Sequence, residues 1–206
     1  MKILLGVTGA SGCVVALRLA EVLRKYGFNV IGIYTRSSLI VADTECVSAN
    51  WFIDKLRGYV DELYSEDDIK APIASSSNIL DAYIIAPASI KTMALIINGI
   101  ASNLLVRAIL NGLRMRKPVV AVVRESPLGE IELEILYKAS KKGITIVPAV
   151  VGFYTYPQHI GDIVDFIVGK TLDVLGIQND LYRRWRGAKD PRYLDPCEYL
   201  YGSAKT

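Results

Sequence analysis

Three short segments of this 206-residue chain place hydroxyls, cations and a carboxylate just beyond runs of apolar residues. Thr8-Gly9-Ala10-Ser11-Gly12 is the first, and a helical pattern follows it. Its glycines permit close backbone approach, and the helix behind it offers amide donors and a positive dipole end to a phosphate. In the second, Pro87-Ala88-Ser89-Ile90-Lys91-Thr92, two hydroxyls and a cation meet at a helix start. Capping accounts for Ser89, but a cation in a first helical turn is unfavourable unless an anion offsets it, so Lys91 points to an anion site. The third, Arg124-Glu125-Ser126-Pro127-Leu128, carries an arginine suited to bidentate contact with an anion and a carboxylate suited to proton handling; a plain ion pair is the alternative. Farther on, Gly152-Phe153-Tyr154-Thr155-Tyr156-Pro157-Gln158 sets aromatics and a rigid turn before a long helix that carries Lys170. His159, the single histidine, stands at the start of that helix with no partner motif to make it a base, and reads as a solvated or capping residue.

The elements that must position these segments follow from hydrophobic patterning. Continuous apolar runs at 3–7, 28–34, 82–86, 119–123 and 144–147 read as buried parallel strands. After the first run, Val14, Val15, Leu17, Leu19, Val22 and Leu23 give a helix, and further helices are expected near 37–56, 89–97, 102–115, 129–142 and 158–175. Strand alternating with helix predicts a single-domain α/β fold with a doubly wound parallel sheet. Ligands of such sheets bind beyond the carboxyl ends of the strands, where the chemistry-bearing segments fall. From Asn179 the chain turns basic and aromatic, with Tyr182, Arg183, Arg184, Trp185 and Arg186, then Pro191, Tyr193, Pro196 and Tyr199. We divide it into a binding domain over 1–180 and a tail over 181–206, packed on its own or a neighbouring subunit or acting as a flap over a planar, phosphorylated ligand.

Composition narrows the partners. Half the residues are hydrophobic (51%), enough for a buried core, and 24 basic against 21 acidic residues give a net charge of +3 without a long one-sign block. A nucleic-acid partner is not expected. Cys13, Cys46 and Cys197 lack the spacing of a disulfide framework or a zinc site, which fits a reducing, cytoplasmic setting with no metal. No secretory signal is evident, and the apolar runs are far shorter than the roughly 20 residues that cross a bilayer, so no membrane partner is expected. The loop after the first strand lacks full GxGxxG spacing and a carboxylate placed for a ribose, which argues against an NAD-linked oxidoreductase.

Six ordered blocks carry a resemblance: GVTGASG, PIASSS, PASIKT followed by GIASNLLVRA, KPVVAVVRESPL, GFYTYPQ and RRWRG. Over about residues 1 to 187 the chain resembles the flavin prenyltransferases, the UbiX family. The resemblance implies a Rossmann-like flavoprotein fold and a metal-independent enzyme. Such enzymes join a dimethylallyl group from dimethylallyl phosphate to N5 and C6 of reduced FMN, and supply the prenylated FMN to UbiD-type decarboxylases. It places Gly9, Ala10, Ser11, Thr35, Ser89, Ile90, Lys91, Thr92, Arg107 and Arg124 at FMN. Tyr154, Lys170 and Arg114 fall around the prenyl phosphate, with Glu125 as a proton donor or acceptor and Trp185 covering the site. Arg114 would come from a neighbouring subunit, because the family assembles as trimers within a dodecamer. Three positions depart from the family pattern: Lys170 stands where Arg is usual, Arg114 where Lys is usual, and Asn78 where an aromatic is common, for which Tyr83 or Trp185 is a candidate substitute. Alternatives are an FMN-dependent decarboxylase of the peptidyl-cysteine type, which relies on a histidine in a place His159 does not occupy, and a non-catalytic flavin carrier.

Overall fold

The computed structural model describes residues 1–187 and 196–202; Pro191 and Tyr193 of the expected tail, and its end from 203 onward, lie outside the described residues. The chain divides into two compact units, Met1–Ala149 and Val150–Thr206. The boundary expected at 180 falls inside the second.

The first unit is built on six parallel strands, β1 (Lys2–Val7), β2 (Asn29–Tyr34), β3 (Glu62–Ser65), β4 (Ala82–Ala88), β5 (Val119–Val123) and β6 (Ile144–Pro148), in the order β3-β2-β1-β4-β5-β6. Its helices are α1 (Cys13–Lys25), α2 (Arg36–Glu45), α3 (Ala49–Tyr59), α4 (Ile90–Ile97), α5 (Leu104–Arg114) and α6 (Glu130–Lys141). The sense of strand order reverses between β1 and β4, which makes the gap above their carboxyl ends the topological switch point where such sheets bind ligands.

Strand alternation sends Leu4, Ile31, Ile33, Tyr83, Ile85, Val119 and Ala121 into a core shared with Leu104, Leu105, Ala108 and Ile109 of α5 and Met93 and Ile96 of α4. Gly6 belongs to the same face: a Cβ there would lie 2.3 Å from a Leu105 methyl, so the missing side chain lets α5 sit on β1. The helix expected over 37–56 is two helices. Cys46 is extended, and the Ser48 hydroxyl accepts from the Trp51 amide (3.1 Å) to start α3 afresh. Strand β3, not anticipated, is a short edge strand that is nowhere fully buried and so carries no continuous apolar run.

The second unit contains α7 (Ile160–Val174), preceded by a tight turn at Phe153–Thr155, and the short α8 (Pro196–Tyr201). Among the described residues of the chain no helix is long and apolar enough to cross a membrane.

Candidate functional site

Thr8, fully buried, locks two strand-end loops together: its hydroxyl donates to the Pro87 carbonyl (2.7 Å) and accepts from the Ser89 amide (2.8 Å). Gly9 then passes so close to α2 that a Cβ would lie 2.4 Å from that of Ser37. The start of α1 corrects the expectation of amides open to a phosphate. The Gly12 and Cys13 amides donate to the carboxylate of Glu45 (2.8 and 3.1 Å), so the chain caps this helix itself. Burial opposes ionisation of Glu45, but hydrogen bonds from Ser11, Gly12 and Cys13 and the charge of Arg124 outweigh it and hold the carboxyl below its ordinary range. Sequence patterning missed Glu45 because it ends a different helix, 33 residues from Gly12.

A cavity of about 280 Å³ opens beside these loops, lined by Gly9, Thr35, Ser37, Ser89, Lys91 and Thr92 together with Arg36, Glu66, Asp67 and Asn103. Thr35 caps α2 by accepting from the Ser38 amide (3.1 Å), and Ser89 caps α4 by accepting from the Thr92 amide (3.3 Å). Arg36 pairs with Asp67 (2.9 Å), whereas no described residue forms an ion pair with Lys91, which leaves the cation that the sequence singled out available to an anion. Glu66 joins two walls: its carboxylate accepts from the Arg36 amide (2.7 Å) and from Asn103 Nδ2 (2.5 Å), and its carbonyl accepts from the Leu104 amide (2.8 Å). Ala10, Ser11 and Ile90 belong to the same loops without lining the cavity. At the end of β5, Arg124 Nε is shielded from solvent and has no hydrogen-bond partner among the described residues, and Glu125 beside it is exposed.

Arg107 and Arg114 lie elsewhere in the first unit, on a separate groove of about 500 Å³ that also includes Ala74, Ser75, Asn78 and Asn111. The Ala74 carbonyl accepts from Arg107 Nε (2.8 Å) and Asn111 Nδ2 (3.2 Å), and Asn111 Oδ1 accepts from Arg114 Nη1 (2.9 Å). Both guanidinium groups are thereby held while keeping N–H donors free for an anion. Asn78 donates to the Pro72 carbonyl (3.0 Å). Tyr83 is no substitute for an aromatic at 78: it is 2% exposed, sits in the core, and its hydroxyl accepts from the Leu80 amide (3.1 Å).

Within the second unit, Tyr154, Lys170 and Trp185 come together. Tyr154 packs edge-on against Trp185 (5.7 Å between ring centres) and Phe166 (5.9 Å). The Lys170 ammonium lies over the rings of Tyr182 (5.1 Å) and Phe166 (5.7 Å). The Tyr182 hydroxyl, against the effect of partial burial and with help from Tyr154, holds its pKa above the usual lysine value. Trp185 is 68% exposed, an open aromatic face held edge-on to Tyr154. His159 stands exposed at the N-cap position of α7, its amide donating to Asp162 (2.9 Å).

Comparison with known proteins gives this geometry a lineage. The flavoprotein family profile matches residues 1–172. The chain is 43% identical to the flavin prenyltransferase UbiX of Saccharolobus solfataricus over 188 residues, covering 90% of this chain and 92% of that one. Among solved structures it superposes on AnUbiX (PadA1), crystallised in complex with FMN and dimethylallyl pyrophosphate, with a TM-score of 0.86, 28% identity and coverage of 91% and 98%. A dodecameric FMN-dependent UbiX-like decarboxylase from Escherichia coli O157:H7 gives 0.85, 32%, and coverage of 91% and 100%. With its switch-point cavity, its cation-lined loops and this similarity along nine-tenths of its length, the chain belongs to the flavoprotein family and, within it, to the UbiX flavin prenyltransferases.

Proposed function

We propose that this protein transfers a dimethylallyl group from dimethylallyl phosphate to N5 and C6 of reduced FMN. The product, prenylated FMN, would serve decarboxylases of the UbiD type. The observation that carries the reading is the grouping of Tyr154, Lys170 and Trp185 in the second unit, a cation and a hydroxyl donor beside an aromatic face. An allylic phosphate leaves only when its growing charge is stabilised, and the isoprenyl carbon it leaves behind is stabilised by aromatic faces.

FMN fits the residues of the first unit. Among the described residues, Arg124 Nε is a shielded donor without a partner and Lys91 is a cation without a counter-ion, and both Gly9 and Lys91 line the cavity. When bound, reduced FMN supplies the nucleophilic nitrogen and the neighbouring ring carbon that accept the prenyl group. Lys91, Ser89 and Thr92 hold an anionic group at the start of α4, with Gly9 and Thr35 as the adjoining walls and Ala10 and Ser11 in the loop that continues from Gly9. Arg124 directs its donor to the cofactor. Tyr154 and Lys170 bind the donor phosphate, and Glu125 takes up the proton released on ring closure.

Arg107 and Arg114 share a groove of their own in the first unit, and we assign it to contact with a neighbouring subunit's site in a homo-oligomer. The dodecameric relative supports that assembly.

Anaerobic incubation of the purified protein with reduced FMN and dimethylallyl phosphate, followed by mass analysis of the extracted flavin, tests the reading. A gain of one five-carbon prenyl unit is expected. Lys170→Ala should slow transfer about 100-fold, the cost of removing one stabilising donor. Unmodified FMN in the wild type, with the diphosphate also failing as donor, would sink the reading.

A further inference from the structure

Lysine at 170 poses a problem that arginine would not. A guanidinium presents a planar fork of donors, whereas an ammonium on a four-carbon stem is a point charge that must be steered. The second unit contains a device that does so. Asp173, one helical turn beyond Lys170, is gripped by Arg184 through both carboxylate oxygens (2.5 and 2.6 Å) and receives the Tyr182 hydroxyl proton (2.5 Å). With that proton committed, only lone pairs of the Tyr182 oxygen remain, and Arg184 Nη1 donates to it at 2.6 Å. The Lys170 ammonium lies over the ring so anchored, 5.1 Å from its centre. The ring lies against Gly169, where a Cβ would fall 2.4 Å from it, and meets Phe166 edge-on at 5.2 Å. Tyr182 is 8% exposed, so its hydroxyl meets a fixed set of partners.

We propose that Tyr182, held by Asp173 and Arg184, is a positioning residue that fixes the Lys170 ammonium for the donor phosphate. The inference rests on the reading of Lys170 as a ligand of that phosphate. It predicts a dependence on the identity of residue 170: a lysine needs the anchored Tyr182 ring to steer it, and an arginine, whose fork orients itself, does not.

A double-mutant cycle separates this role from plain packing. Dimethylallyl monophosphate is titrated calorimetrically into FMN-loaded wild type, Tyr182→Phe, Lys170→Arg and the double variant, with prenyl transfer followed in parallel as KM and kcat. The phenylalanine keeps an aromatic face but unties it from Asp173 and Arg184. Losing those hydrogen bonds to charged groups leaves the surface under Lys170 unfixed and should weaken donor binding about tenfold with Lys170 present. The same change should cost less than about twofold in the Lys170→Arg background, with the loss in turnover appearing in KM. Asp173→Asn, which loosens the same anchor, should weaken binding in the same direction. An equal loss in both backgrounds, or no loss with Lys170, overturns the proposal. A wild type that binds the donor without transferring it refutes the prenyltransferase reading while the cycle still decides this one; a wild type that does not bind the donor refutes both.

Discussion

At the scale of single residues, the strongest constraints come from groups that leave no polar atom unmatched. Thr8 is the clearest case, since one buried hydroxyl serves as donor and acceptor to the loop after β4. Thr8→Val keeps the shape and orphans the Ser89 amide, while the Pro87 carbonyl retains only the residue-8 amide (3.2 Å). It should lower unfolding free energy by about 1–3 kcal/mol, measured by urea denaturation. Lys91→Ala should weaken FMN binding, and the loss should shrink as salt rises, because the contact is between exposed charges; fluorescence titration of FMN at two ionic strengths checks this. Lys91 was legible in the sequence because a cation in a first helical turn is locally at odds with its surroundings. Thr8 and Glu45 were not, since what makes each matter lies 79 and 33 residues away along the chain.

Elements were legible where the chain carries an apolar run or a helical period, complete burial being reached only in part of them. β1, β2, β4, β5 and β6 announce themselves as apolar runs, and α4 to α7 lie within two residues of expectation. The failures came where a polar residue redirects the chain or where one face is wet. Ser48 splits one expected helix into α2 and α3, and Ser48→Ala should cost about 1 kcal/mol in thermal or urea unfolding, the usual effect of losing an N-cap. Packing between elements makes a sharper demand at Gly112 of α5, where a Cβ would lie 2.5 Å from the Tyr83 ring of β4. Gly112→Ala adds helix propensity, yet the clash inside a filled core should dominate and destabilise the fold by about 1–3 kcal/mol. The aromatic missing at 78 could be read from the sequence, but whether Tyr83 replaces it could not, because a strand tyrosine gives no sign of which face it joins.

For the whole molecule, the parallel sheet was expected from the alternation of strands and helices and its ligand-binding side from the carboxyl ends of the strands, while the division at 149/150 had no signal, because no Pro/Gly-rich linker marks it. The second unit carries its own response to pH. Burial opposes ionisation of Asp173, but hydrogen bonds from Arg184, Tyr182 and Asn179 outweigh it and depress the folded pKa below the ordinary 3.8. The stability this supplies is present above pH 3.8 and is lost as pH falls through the folded value. Lys170 has the opposite sign: its raised pKa gives stabilisation that is complete below its ordinary 10.5 and is lost above the folded value. The chain has two tryptophans, Trp51 and Trp185. In a Trp51→Phe background, Trp185 emission should therefore change as pH drops below 3.8, and Asp173→Asn should abolish that step.

Glu66 gives the cavity of the first unit a mechanical property. One residue accepts from the Arg36 amide at the head of α2 and from both Asn103 and Leu104 at the head of α5. Two helices distant in sequence thus share a single latch, and neither can fray at that end without straining the other's hold. In hydrogen exchange the amide protons of Arg36 and Leu104 should open as one unit in the wild type, and Glu66→Ala should let them exchange at unrelated rates.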